Sequence, residues 1–418
     1  MCIQKCNTNC INTVSTDNGF SPEKGGGLFV KILITSDWYA PTINGVVTSV
    51  LNLRQGLMAR GHEVRVLTLS QTPYSWCEDG VTYIGAVSAG MIYPGARLRT
   101  APGRELLAEL AAWRPDIIHS QCEFSTFLLA RKLSAATGAP IVHTYHTVYE
   151  DYTHYFSPSR RWGQAAVAAF SRWVISQTAC VIAPTAKVRE LLERYQVERP
   201  VHVIPTGIDL MRFSAPADAA AQAELRRSLE IPSENFVMVY VGRLAEEKNI
   251  DELVRHMAAL QRDRITLLLV GDGPYRAALE RQVQTLGLER QVIFAGMVPP
   301  DRILQYYRLG DVFVSASNSE TQGLTYIEAL AAGVPALCRR DPCLSGVIVD
   351  GVNGWQFQDG AGFRTGVARL LADPNLREEM ACRAAELARR EFSAETFARR
   401  MEAVYAQVLE RGHSGAVA

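Results

Sequence analysis

"FVMVYVGRLAEEKNIDELVRHMAALQR", Phe236 to Arg262, holds a complete strand, loop and helix. Phe236 to Val241 is an unbroken apolar run, the pattern of a strand buried on both faces in a parallel sheet. Gly242 ends it. Ile250, Leu253, Val254 and Met257 then recur at helical spacing. The same rhythm continues downstream: "ITLLLVGDG", "VIFAGMV", "VFVSAS" and "PALCRR" read as strands, and "YRAALERQVQTLG" as a helix between two of them. It is present upstream as well. "LFVKILITSD", "HEVRVLTL", "DIIHS", "PIVHTYH", "ACVIAPT" and "VHVIPTG" read as strands, with "GVVTSVLNLRQGLMARG" (closed by Gly61) and "TFLLARKLSAATG" as helices. Strands alternating with helices imply parallel sheets covered on both faces.

A polar, Ala-rich break, "FSAPADAAAQAELRRSLE", separates the two series. The expected fold is therefore α/β, with two doubly wound, Rossmann-like domains facing a central cleft. Residues 1–27 are expected to be a disordered extension, 28–209 the first domain, 210–393 the second, and 394–418 a C-terminal helix packing back toward the first domain. Ligands of such sheets bind beyond the carboxyl ends of the strands.

The 418 residues are 48% hydrophobic and 21% charged, with formal net charge zero, which argues against a dedicated nucleic-acid binder. Residues 31–200 carry a net +4 and residues 201–418 a net −4, so the first half is the one suited to an anionic surface. No apolar stretch reaches the length of a membrane span, about 18 residues, and the N-terminus lacks the apolar core of a signal peptide. The nine cysteines read as reduced cytosolic thiols; Cys2, Cys6 and Cys10 lack a supporting His or Cys pair for a metal site.

Several strand ends carry candidate chemistry. Arg243 and Lys248 lie five residues apart just beyond the "FVMVYV" run, where two cations can clamp a diphosphate; a solvated pair with Glu246 and Glu247 as counterions has the same spacing. "GDGP", Gly271 to Pro274, lacks the full glycine-rich phosphate pattern and reads mainly as a turn. Gly45, in "PTINGVV", sits where a helix start offers N–H groups to phosphate, or is a simple loop glycine. "NSETQGLTYIEALAAGVP" places Glu320 and Glu328 around Gly323, and Thr325 with Glu328 fits a capping box. "HTYHTVYEDYTHY", His143 to Tyr155, suits hydrogen bonding to a sugar or polar headgroup better than zinc. "PSRRWGQAAVAAFSRWVIS" is a helix carrying Trp162, Val167, Phe170, Trp173 and Val174 beside Arg160, Arg161 and Arg172. It reads either as an interfacial membrane helix or as a core-facing one.

Taken together, Arg243, Lys248 and the Glu320-x7-Glu328 spacing, with "VGRLAEEKNID" and "IPTGID", resemble the retaining, GT-B-fold glycosyltransferases of family 4 over residues 28–411. "HTYHTVYEDYTHY" and "SETQGLTYIEALAAGVPALCRRDPCLSGVIVDGVNGW" are similar to the bacterial diacylglycerol α-glucosyltransferases within it. The resemblance implies transfer of glucose from UDP-glucose to a membrane lipid hydroxyl, that of diacylglycerol, without a metal or other cofactor. The catalytic set implied is Arg243, Lys248, Glu320 and His146. The donor set adds Gly45, Met297, Val298, Gln322, Gly323, Leu324, Thr325 and Glu328. Tyr149, His154, Arg160, Arg161, Trp162 and Trp173 fall to the acceptor and an anionic membrane surface. The implied location is the cytoplasmic face of the cell membrane, held peripherally. Thr321-Gln322-Gly323 departs from the aromatic or Cys common after the first Glu, and is shared with the lipid-type subgroup. A GDP-mannose-dependent mannosyltransferase, a UDP-GlcNAc 2-epimerase and a non-catalytic carbohydrate-binding protein are the competing readings; the last would be expected to have lost one of Arg243, Lys248 or Glu328.

Overall fold

A computed structural model describes residues 29–42, 44–89, 97–100, 103–150, 159–213, 215, 216, 218–260 and 264–414. The expected N-terminal extension, Cys2, Cys6, Cys10 and His154 lie outside the described residues, as does the side chain of Arg160. The chain divides into two compact units, Asp209–Glu391 and the remainder up to Ile208 and from Phe392.

In the first unit the strands are β1 (Lys31–Ser36), β2 (Glu63–Leu69), β3 (Trp76–Glu78), β4 (Val81–Ile84), β5 (Ala86–Ser88), β6 (Arg97–Arg99), β7 (Ile117–Ser120), β8 (Ile141–Thr144), β9 (Cys180–Ala183) and β10 (Val201–Val203). Eight of them form one sheet in the order β10-β9-β8-β7-β1-β2-β4-β3, parallel except for the β3–β4 hairpin; β5 and β6 form a separate antiparallel ribbon. From β1 the chain winds one way through β2 to β4, then crosses back to β7 and winds the other way, so the strand order reverses between β1 and β7. Helices cover both faces. Ile32, Ile34 and Ile117 pack with Leu53 and Leu57 of the helix Gly45–Ala59, while Leu33 and Ile118 pack with Phe127 and Leu133 of the helix Ser125–Thr137.

The C-terminal helix Ala394–Ser414 belongs to this unit, with Phe397, Met401 and Tyr405 in the same core as Ile32 and Ile34. Backbone bonds fix its entry: Ile208 N donates to Phe392 O at 2.8 Å and Ala394 N to Ile208 O at 3.0 Å. Two glycines make room. A Cβ on Gly56 would stand 2.8 Å from the Ala398 Cβ, and one on Gly207 only 2.5 Å from Ser393 O. Below the sheet, Tyr405 Oη lies 2.7 Å from His119 Nδ1, whose Nε2 is 2.7 Å from Thr144 Oγ1.

The second unit has six parallel strands: β11 (Phe236–Val241), β12 (Ile265–Val270), β13 (Val292–Gly296), β14 (Val312–Ser315), β15 (Ala336–Arg339) and β16 (Gly354–Phe357). Their order, β13-β12-β11-β14-β15-β16, reverses between β11 and β14. Each of the first five begins as a sequence-legible apolar run; β16, "GWQF", does not. The Ala-rich stretch that reads as a break is a helix over Ala219–Ser228, started by Asp218, whose side chain accepts from Ala220 N and Ala221 N. Only Leu225 of this helix is buried, so no apolar periodicity announces it.

Candidate active site

The reversal between β11 and β14 is where a doubly wound sheet opens a ligand crevice, because the flanking helices leave on opposite faces. The loops after these two strands meet there. Lys248, in the short 3-10 turn Glu246–Lys248 after β11, places its Nζ 2.6 Å from Oε1 of Glu320, which follows β14. Both side chains are about four-fifths buried, and the pair spans 72 positions of sequence. Asn249 reinforces the join: its Nδ2 donates to Ala316 O at 3.3 Å and to Asn318 Oδ1 at 3.3 Å. Arg243 stands on the same loop, less buried, with its guanidinium 3.8 Å from Glu247.

"GDGP" props up the loop that carries Arg243. Leu244 N donates to Asp272 O at 3.0 Å and Tyr275 N to Leu244 O at 3.0 Å. A Cβ on Gly271 would fall 2.0 Å from Gly242 O, and one on Gly273 2.3 Å from Leu244 O. These glycines are there because two backbones touch, which corresponds to the turn reading.

The helix Leu324–Ala331 follows β14, and its cap is Gly323 at φ 73°, a left-handed conformation that glycine adopts freely. A Cβ there would also strike the Tyr326 ring at 2.5 Å. Being a glycine, the cap residue itself has no side chain to offer this helix start. The capping-box expectation is thus corrected: with Gly323 as the cap, Thr325 is already inside the first turn and Glu328 lies too deep to reach back. Glu328 turns inward, where its Oε2 accepts a 2.7 Å hydrogen bond from the Tyr307 hydroxyl. Burial raises its carboxyl above the ordinary range, against the opposing pull of that hydrogen bond and of Arg212. Arg212 also donates to Pro300 O at 2.5 Å, in the segment just beyond Met297 and Val298. Met297 is largely exposed and Val298 half-buried, at the end of β13, two strands or roughly 10 Å from β11.

The first unit's reversal, between β1 and β7, is built from different chemistry. Asp37, just past β1, accepts from Thr126 N at 2.7 Å and so satisfies the start of the helix Ser125–Thr137. Burial pushes its carboxyl up to about 6, aided by Glu123 and opposed by the Thr126 N–H. Past β7, Gln121 Oε1 lies 2.7 Å from His146 Nε2. Glu123 accepts from the Tyr149 hydroxyl at 2.5 Å, and its other oxygen lies 3.3 Å from His143 Nε2. His146 is held neutral, pushed down to about 3 by burial and then by His143. Gly45 is exposed at the start of its helix, but Asn44 caps that start by accepting from Val47 N at 2.9 Å, so one N–H group expected to be open is taken. Among the described residues no three His, Cys, Asp or Glu side chains converge as metal ligands.

The helix Arg160–Ser176 has a buried side and an exposed one. Val167 and Val174 are buried, while Trp162 is 78% and Trp173 41% exposed. Eleven residues apart, the two tryptophans share one side of the helix, with exposed Ala165, Ala166 and Ala169 between them and exposed Arg161 and Arg172 beside them. Trp173 is also held from below by Phe127, Phe170 and Arg131. Tyr149, assigned with it from sequence, is half-buried and its hydroxyl is committed to Glu123. No helix among the described residues is long and apolar enough to cross a membrane.

Two sheets with such reversals, the second carrying the Lys248–Glu320 pair near a glycine-capped helix start, fit the GT-B fold. Residues 43–212 match the model of Glycosyltransferase Family 4, and residues 221–387 that of Glycosyl transferases group 1. The chain belongs to the family 4 glycosyltransferases and is a hexosyltransferase. It is similar to the alpha-monoglucosyldiacylglycerol synthase of Streptococcus pneumoniae, 33% identical over 381 residues, 90% of this chain and 85% of that one. It is likewise similar to the alpha-monoglucosyldiacylglycerol synthase of Acholeplasma laidlawii, 30% identical across 92% of this chain and 98% of that one. Anabaena HepE, solved in complex with UDP and glucose, shares the fold with a TM-score of 0.71 at 18% identity, covering 90% of this chain and 100% of that one.

Proposed function

We propose that the protein transfers glucose from UDP-glucose to the free hydroxyl of diacylglycerol, with retention at the anomeric carbon, at the surface of an anionic membrane. The observation that carries the donor half is the Lys248–Glu320 pair near the glycine-capped helix start at Gly323, with Arg243 on the loop that carries Lys248. The relatives named as alpha-monoglucosyldiacylglycerol synthases support the lipid acceptor.

In this reading Arg243 and Lys248 bind the diphosphate and stabilise the charge that grows on it as it leaves. Lys248 exchanges part of its contact with Glu320 for phosphate, and Glu320 turns its freed capacity to hydroxyls of the sugar. The N–H groups of Gln322, Gly323, Leu324 and Thr325 take sugar and phosphate oxygens, as a helix start favours anions. Glu328 holds the ribose hydroxyls with Tyr307 fixing its carboxylate, Met297 and Val298 line the base, and Gly45 admits the diphosphate to the first unit's loop. His146 hydrogen-bonds the donor sugar. The bond from the anomeric carbon to the diphosphate breaks. The acceptor oxygen bonds to that carbon on the same face, and its proton passes to the departing diphosphate. The two cations take the charge-stabilising task that a divalent ion performs elsewhere, so chelation with EDTA should leave turnover unchanged. Arg160, Arg161, Trp162 and Trp173 rest on the membrane, while Tyr149 and His154 serve the acceptor side.

The deciding experiment supplies UDP-glucose, UDP-galactose, UDP-GlcNAc and GDP-mannose, each with diacylglycerol, ceramide or no acceptor, and identifies products by mass. Monoglucosyl-diacylglycerol from UDP-glucose is the expected product. Mannosylated product from GDP-mannose, or ManNAc from UDP-GlcNAc without acceptor, would replace this reading with a competing one.

A further inference from the structure

Among the described residues, six of the thirteen buried side-chain atoms without a hydrogen-bond partner lie in one cluster. Thr35 Oγ1, Gln121 Nε2, Glu123 Oε1, Thr126 Oγ1 and both ring nitrogens of His143 all lie around the carboxyl ends of β1, β7 and β8. The His143–Glu123 approach of 3.3 Å is close without being aligned as a hydrogen bond. Gln121 is the most informative member. It is 1% exposed, and its amide nitrogen is unsatisfied among the described residues, a burden of about 1–3 kcal/mol on the fold. An apolar side chain of the same size would avoid that cost. What Gln121 supplies in return is its carbonyl, 2.7 Å from His146 Nε2.

A carbonyl only accepts, so the ring nitrogen facing it carries the hydrogen, and Nδ1 is left as the ring's acceptor. The ring is neutral, held down to about 3, so it has one hydrogen, and its position is the variable left to set. Two residues further on, Glu123 takes the Tyr149 hydroxyl, so one short loop holds both His146 and Tyr149. We propose that Gln121 is a positioning residue for glycosyl transfer: by accepting the Nε2 hydrogen of His146 it fixes the tautomer in which Nδ1 accepts from a hydroxyl of the transferred sugar. This rests on His146 serving the donor sugar as proposed above.

The test uses the full-length chain. Gln121→Met removes both amide groups at similar volume. Its melting temperature should equal or exceed that of the wild type, while kcat with UDP-glucose and dioleoylglycerol in dioleoylphosphatidylglycerol vesicles falls about tenfold. KM for UDP-glucose should move less than about twofold. Gln121→Glu keeps an acceptor on Nε2 but adds charge, so the acid side of its pH–kcat profile should move up by about one unit or more. A ¹⁵N-histidine spectrum, with His146→Gln assigning the resonance, should give the Nε2–H tautomer in the wild type and a mixture in Gln121→Met. An Nδ1–H tautomer in the wild type overturns the proposal. So does a Gln121→Met protein that melts lower and loses activity only in step with its folded fraction. Should the wild type turn over no sugar nucleotide, the proposed function fails, while the melting and spectral readouts still decide the Gln121–His146 contact.

Discussion

The two strand-order reversals share a topology and use it in opposite ways. In each, a side chain after the central strand bonds across to the loop or helix after the next one. In the first unit the crossing group is an anion: Asp37 bonds the start of the helix Ser125–Thr137 through Thr126 N, so that helix end is already satisfied by protein. In the second unit it is a cation: Lys248 crosses to Glu320, and the helix beginning at Leu324 has a glycine as its cap residue. A helix start filled by a carboxylate has little left for phosphate, whereas one near a lysine suits an anion better. The same fold thus carries the proposed donor site where a cation makes the crossing, and a buried polar cluster of Asp37, Gln121, Glu123, His143 and His146 where an anion does.

The sharpest way to break this contrast is Lys248→Ala. It removes a cation from the diphosphate site and leaves Glu320 partly buried without its partner, so repulsion adds to lost attraction. Turnover is expected to fall about a hundredfold or more. Lys248 belongs to neither the β11–β16 core nor any helix interior, so circular dichroism and cooperative melting should persist. Near-normal turnover in a steady-state assay would show that the crossing cation is structural and would sink the assignment of this reversal to the donor.

Why one side of the contrast was legible in sequence and the other was not follows from how each is built. Buried parallel strands are continuous apolar runs, so "FVMVYV" and "ITLLLV" announce both the sheet and the loops where function sits. Arg243, Lys248, Glu320 and Glu328 lie in two short stretches with recognisable spacing. Gln121 and Glu123 are single polar residues at a strand end, and their partners His146 and Tyr149 stand 25 and 26 positions away. Tyr307 reaches Glu328 over 21 positions. No period in the sequence links such pairs; the sheet does, by setting loops side by side. The only advance sign was the polar "SQCE" directly after a buried strand. Short elements failed for a related reason: β3, β5 and β6 have three residues each, too few for any alternation to register. Thr325-x-x-Glu328 misled because the capping-box pattern is local, while Gly323 and Tyr307, which decide the helix start and the direction of Glu328, lie outside it.

The anionic crossing has its own signature, smaller than the loss at Lys248. Asp37 is raised from 3.8 to about 6, chiefly by burial. A carboxyl raised in the folded state contributes most below its unfolded pKa, and that contribution is lost as pH climbs through the folded value. Between pH 4 and pH 7 the wild type should therefore forfeit stability at this site. Asp37→Asn keeps an oxygen acceptor for Thr126 N and has no proton to lose. It should match the wild type near pH 4 and exceed it by about 2 kcal/mol at pH 7 in urea titrations. An equal gap at both pH values, or a less stable variant at pH 7, would mean that the crossing anion is not strained by its burial.

The smallest expected effect tests whether the first unit adds a surface role that the second lacks. The first half of the chain is the basic half, and its helix Arg160–Ser176 presents Trp162 and Trp173 on one exposed side beside Arg161 and Arg172. Trp162 is the cleaner probe, because at 78% exposure it holds little of the fold, whereas Trp173 is braced against Phe127 and Phe170. Trp162→Ala should leave melting unchanged and weaken co-sedimentation with phosphatidylglycerol vesicles about tenfold, the order expected for withdrawing one large aromatic from a bilayer interface. Raising salt should weaken the wild type and variant alike, since the arginines remain. Vesicle binding that ignores Trp162 yet falls with salt would reduce this face to electrostatic attraction; no binding even at low salt would detach the first unit from membranes and point the acceptor side to a soluble hydroxyl compound.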